Sequence, residues 1–158
     1  MNFEPAINDL YHKLNEHANL VYEFVILYYN YIYTNHNYGY EQMFTMMEIH
    51  TLTYIEDNPG VTITELSKIW QKTKSAVSQT VKKLVDNGFV ERKHKENNYK
   101  SVLLYVTEKG KQLSNVHKAY DVADITQTTS NLIAQCGEKD VEAFYRVLQA
   151  YTSLLKEN

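Results

Sequence analysis

Apolar residues recur at the spacing of one helical face over about residues 7–33: Leu10, Leu14, Val21, Phe24, Tyr28 and Tyr31, with Val25 and Ile32 widening the stripe. The pattern predicts one long helix, broken near Asn35-His36-Asn37-Tyr38-Gly39. A second helix is expected over about residues 41–56, with Phe44, Met47, Thr51 and Ile55 on one face. Asp57-Asn58-Pro59-Gly60 stops it, because the residue before a proline is disfavoured in the helical region and glycine accepts a turn conformation.

Thr62-Ile63-Thr64-Glu65 has the spacing of a capping box, in which a threonine hydroxyl accepts the third helical amide and the glutamate reaches back to the threonine's own amide. The short helix it opens, residues 63–70, buries Leu66 and Trp70. Thr73 is a good N-cap for a helix over residues 74–87, whose apolar Val77, Val81 and Leu84 share one side and which Gly88 closes. The period then changes to that of strands over residues 89–94 and 101–106, with a polar hairpin tip, Lys95-Glu96-Asn97-Asn98-Tyr99-Lys100, between them. Thr107 caps a long helix reaching about Asn131. After Gly137 a last helix carries Val141, Phe144, Leu148, Tyr151 and Leu155 at heptad-like spacing.

This order defines a mainly α fold with one small β-hairpin wing. A winged helix-turn-helix occupies residues 41–107, between an N-terminal dimerisation helix (residues 1–40) and C-terminal dimerisation helices (residues 108–158). The outer segments are assigned to dimerisation because their stripes are too apolar to pack only on a small winged-helix core. A two-fold dimer presents two recognition helices about one DNA turn apart, roughly 34 Å, which implies a palindromic operator.

Charge adds a direction to this picture. The chain carries a net −3, yet residues 68–100 hold nine basic residues against three acidic ones, so this segment is +6 and the remainder −9. A concentrated basic segment in an acidic protein is the footprint of a phosphate-binding face. With Val77, Val81 and Leu84 turned inward, Ser75, Gln79, Lys82 and Asp86 point outward, and Lys74, Ser78 and Lys83 lie at the edges. Gln79 can read adenine bidentately, the serines can donate or accept, and the lysines reach phosphates or guanine. The wing is flanked by Arg92, Lys93, Lys95 and Lys100, positioned for the adjacent minor groove or its backbone. These features give double-stranded DNA as the partner and Lys74, Ser75, Ser78, Gln79, Lys82, Lys83, Arg92, Lys95 and Lys100 as the candidate contacts.

At these residues the sequence resembles the multiple-antibiotic-resistance regulator (MarR) family. The resemblance is carried by Glu65-Leu66-Ser67-Lys68-Ile69-Trp70, then Thr73-Lys74-Ser75-Ala76-Val77-Ser78, then Leu84-Val85-Asp86-Asn87-Gly88-Phe89-Val90-Glu91-Arg92, and finally Leu104-Tyr105-Val106-Thr107-Glu108-Lys109-Gly110. It implies a homodimeric DNA-binding regulator, a repressor by type, whose terminal helices interlock. The family's wing carries an aspartate two residues before an arginine, which helps hold the wing and contacts the minor groove; here those positions are Asn98 and Lys100, so the resemblance adds Asn98 to the candidate contacts. Lysine keeps the charge without the planar fork of arginine, and asparagine gives up the ion pair.

Other classes have less support. No nucleophile–base constellation or phosphate-binding glycine loop points to an enzyme, and no cofactor is indicated. The six histidines fall at no metal-binding spacing. Eight of the fourteen tyrosines lie between Tyr11 and Tyr40, which reads first as an aromatic-rich interface and core. The functional reading is a pocket for a small aromatic or acyl effector, lined by Tyr28, His50 and Tyr54. The lone Cys136 cannot form an internal disulfide and has only Lys139 as a basic neighbour, so it reads as an incidental small residue and not a redox sensor. No basic start followed by an apolar run opens the chain. Its most apolar stretch, residues 20–33, contains Glu23 and Asn30 and is too short to span a bilayer, so a cytoplasmic protein without membrane contact is expected. The competing function is a winged-helix module that binds another protein and not DNA.

Overall fold

The computed structural model describes the backbone of residues 4–95 and 98–157 and the side chains of residues 7–94 and 102–157. In chain order the elements are α1 (Glu4–Tyr33), β1 (Asn35–His36), β2 (Phe44–Thr45), α2 (Met46–Asp57), α3 (Ile63–Ile69), α4 (Lys74–Asp86), β3 (Val90–Lys95), β4 (Asn98–Val106), α5 (Glu108–Cys136) and α6 (Glu138–Glu157). The chain divides into two units, one ending at Ser114 and the other beginning at Asn115. The first holds α1, the winged helix-turn-helix and the opening of α5; the second holds the rest of α5 and α6. The mainly α fold with a two-stranded antiparallel wing is the one expected from the sequence.

In the first unit, Leu52 and Ile55 of α2, Leu66 of α3, Val81 and Leu84 of α4, Leu104 of β4 and Leu113 of α5 are fully buried together. Phe89, at the foot of the hairpin, meets Phe44 edge to face at 5.5 Å and Tyr40 at 5.2 Å. The hairpin pairs Val90 with Val106 and His94 with Val102, and its register shifts beyond His94 so that Lys95 faces Asn98. Leu104 also exchanges backbone hydrogen bonds with Gly60 and Val61 at 2.8 and 3.0 Å, fixing the α2–α3 connection on the edge of the sheet.

Two places depart from the sequence pattern. The second helix begins at Met46 and not near Glu41, because Thr45 and Glu48 form a capping box: the Glu48 amide donates to the Thr45 hydroxyl at 3.1 Å and the Thr45 amide to Glu48 Oε2 at 2.9 Å. Phe44 therefore leaves the helix and is buried in β2, which pairs with β1 (Asn35 opposite Thr45, His36 opposite Phe44). The buried side of α2 becomes Met46, Ile49, Thr51, Leu52 and Ile55. The fifth helix also runs past Asn131 to Cys136, where Gly137 takes a left-handed φ of 88°.

Candidate nucleic-acid interface

The interface is built around α4. The Ala76 amide donates to the Thr73 hydroxyl at 3.2 Å, satisfying one orphan donor of the first turn, and Gly88 closes the other end at φ 75°. The preceding α3 opens on the Thr62–Glu65 capping box, and the Thr62 hydroxyl and amide together hold the Glu65 carboxyl below its ordinary range. Between the two helices the turn passes through Gln71 at φ 49°, a left-handed conformation unusual for a side chain of that size. Val77, Val81 and Leu84 are buried, whereas Lys74, Ser75, Gln79, Lys82 and Asp86 are exposed and Ser78 is half-buried. The helix thus separates an apolar back from a polar front, as its period indicates.

Three lysines on and beside this face have carboxylate partners. Lys82 bonds Asp86 one turn along the helix. Lys83 is drawn away from the outer face: its ammonium lies 2.7 Å from Glu48 Oε2 and 4.8 Å above the Phe44 ring, half-buried against α2. On the hairpin, Lys93 meets Glu91 at 2.8 Å and stands 4.9 Å above Tyr105, and the Glu91 carboxylate raises the Lys93 pKa. Arg92 is exposed on the same strand, opposite Leu104. The side chains of Lys95, Asn98 and Lys100 lie outside the described residues.

The base of the wing is locked by the opening of α5. The Thr107 hydroxyl donates to the Gly88 carbonyl at 2.7 Å and accepts from the Gly110 amide at 3.1 Å. Lys109 donates to the Asn87 carbonyl at 2.9 Å, at the C-terminal end of α4, and spans Phe89 at 4.6 Å. A Cβ at Gly110 would stand 2.1 Å from the Phe89 carbonyl oxygen and 2.6 Å from Val106 Cγ1, so only glycine lets helix and hairpin approach this closely.

Behind α4 lies an open pocket of about 270 Å³. Tyr29 and Tyr33 of α1, Glu48 of α2, Trp70, Lys72 and the inner side of α4 at Val77 line it. Of the three residues expected in a pocket, none lines this one. Tyr28 is exposed and stacks on Phe24 at 5.7 Å, Tyr54 packs edge to face against Trp70 at 6.1 Å, and His50 is half-buried on α2. Tyr29 is one residue from the expected tyrosine and on a different side of the same helix. No helix among the described residues is long and apolar enough to cross a membrane.

Residues 44–98 match the MarR family model. Over 83 residues, 52% of this chain, the sequence is 35% identical to the uncharacterized HTH-type transcriptional regulator YhjH of Bacillus subtilis (strain 168). That match spans 47% of the relative, about half its length. Among solved structures, FabT of Streptococcus pneumoniae, crystallised in complex with DNA, shares the fold at TM-score 0.66 and 22% identity, over 93% of this chain and 98% of FabT. The MarR family transcription regulator SP03579 aligns at TM-score 0.67 and 15% identity, over 99% of this chain and 97% of that one. The relative from Bacillus subtilis and the structural neighbour SP03579 are both described as transcription regulators. Through its winged helix-turn-helix, this chain is similar to the MarR family over residues 44–98.

Proposed function

We propose that the protein is a cytoplasmic transcription repressor that binds a palindromic operator in double-stranded DNA as a homodimer and is released by a small-molecule effector. The observation that carries this reading is the front of α4, where Lys74, Ser75, Gln79 and Lys82 are exposed over a fully committed apolar back. Such a helix enters the major groove with Gln79 and the serines at base edges and the lysines at phosphates. Arg92, with Lys95, Asn98 and Lys100 toward the wing tip, serves the flanking backbone and minor groove. A structural neighbour crystallised in complex with DNA supports DNA as the partner.

Dimerisation is supported by unclaimed apolar surface. On α1, Ile7, Leu10, Leu14, Leu20, Ile26 and Leu27 are exposed, and on α6 so are Phe144, Leu148, Tyr151, Leu154 and Leu155. Apolar exposure on this scale is the mark of an interaction surface. Within this reading the pocket behind α4 is the effector site, and its aromatic lining suits a small ligand with an apolar body.

Selection from a random duplex library by the purified protein, at moderate salt, tests the proposal. Enrichment of a palindrome with half-sites one helical turn apart is expected. Recovery of unrelated sequences, with only weak salt-sensitive binding, would replace it with the protein-interaction reading.

A further inference from the structure

The chemistry of the pocket narrows what it can hold. The Tyr29 and Tyr33 rings stand 4.5 Å apart, centre to centre, as one paired aromatic surface. The Lys72 ammonium lies 5.9 Å from the first ring centre and 5.5 Å from the second, the distance of a cation–π contact. Unlike Lys82, Lys83 and Lys93, it has no carboxylate partner among the described residues. An exposed ammonium over a ring is held by only about 0.5–1 kcal/mol, so another cation can replace it. The tail of Lys72 thus sits where a ligand's own cation would sit.

Glu48 supplies the counter-charge. Its Oε2 accepts both the Thr45 amide and the Lys83 ammonium, which leaves Oε1 for a third donor. Met47, Ala76 and Val77 provide an apolar wall, and Trp70, whose buried indole N–H has no acceptor among the described residues, offers a donor to a ligand oxygen. We infer that the pocket binds a small organic amine in its cationic form, which takes the place of Lys72 on the two tyrosines and bonds Glu48. This inference rests on reading the pocket as the effector site and names the ligand class and the route of its action. Lys72 immediately precedes the N-cap of α4, and Lys83 lies within that helix, tied to Glu48. An entering amine therefore loosens α4 at both of its ties to the pocket walls.

The test titrates the full chain with tyramine, tyrosol and 4-hydroxyphenylacetate, which share a phenol ring and differ in carrying an amine, a hydroxyl or a carboxylate. Calorimetry gives the affinities, and emission from Trp70, the only tryptophan, reports occupancy locally. Tyramine, an ammonium at neutral pH like any alkylamine, should bind saturably and roughly tenfold or more tighter than tyrosol. Glu48→Gln keeps a capping-box residue at its position and should weaken tyramine roughly tenfold. Lys72→Ala removes the internal competitor and should tighten it about fivefold. Equal or tighter binding of 4-hydroxyphenylacetate, weaker tyramine binding by Lys72→Ala, or no saturable tyramine binding would each overturn the inference. Operator affinity in the same samples separates the two readings. Tyramine that binds without altering DNA affinity leaves the amine site standing and removes the effector role. A carboxylate that binds and releases DNA does the reverse.

Discussion

Two helices of the first unit, α1 and α4, contain comparable apolar side chains and dispose of them in opposite ways. In α4, Val77, Val81 and Leu84 are all buried within the chain, and what remains outside is polar. In α1, apolar residues from Ile7 to Tyr29 stay exposed, although the helix runs thirty residues. A helix that hides its apolar side can spend its other face on a charged ligand, whereas one that leaves apolar groups in water awaits a protein surface. On the proposed reading, the first meets nucleic acid and the second a copy of this chain.

Substitutions can break this contrast at several strengths. The largest effect is expected from Gly110→Ala, which drives a methyl into the Phe89 carbonyl and should cost about 3 kcal/mol in chemical denaturation. A loss near zero would mean that α5 and the hairpin are free to separate. Leu14→Glu should leave the circular dichroism of the helices unchanged while weakening the dimer by roughly 2 kcal/mol, read by sedimentation against concentration. Unchanged association would exclude that part of α1 from the interface.

Gln79→Ala sharpens the other half of the comparison. It should lower preference at a single operator base pair by about 1–3 kcal/mol without altering binding to random duplex. An equal loss on both DNAs would remove Gln79 from base reading. The smallest effect concerns the support of α4. Thr62→Ala should cost about 1 kcal/mol by opening the α3 capping box. Because the Glu65 carboxyl is held below its unfolded value of 4.5, its contribution is present above that value. The contribution fades as pH falls through the lower folded value, so the difference between wild type and Thr62→Ala should shrink on acidification. A difference that grows instead would show that the glutamate is not stabilised as the anion.

Most of the winged helix was legible because its signals are local. Thr62 with Glu65, Thr73, and Gly88 each determine an element boundary within a few residues of themselves. The start of α2 carried an equally local signal in Thr45 and Glu48, but the helical spacing of Phe44, Met47, Thr51 and Ile55 masked it. Tertiary packing placed Phe44 against Phe89 and chose the other phase. Lys83 shows where sequence reading runs out. Its helical angle puts it at the edge of the outer face, and only a residue 35 positions away, Glu48, turns it inward. Tyr29 and not Tyr28 lines the pocket behind α4, a choice that depends on what packs beside the helix and not on its period.

If the protein binds DNA as proposed, the carboxylates beside Lys82, Lys83 and Lys93 bear on how it travels before it finds a target. A DNA phosphate approaching any of these lysines must compete with a partner that is already covalently present at high local concentration. Random sequence, which offers phosphates and nothing more, gains little from that exchange. A cognate site adds base contacts, which tip the exchange toward DNA. Internal partners of this kind shorten each stop on irrelevant genome and so quicken the search, at some loss of grip on arrival.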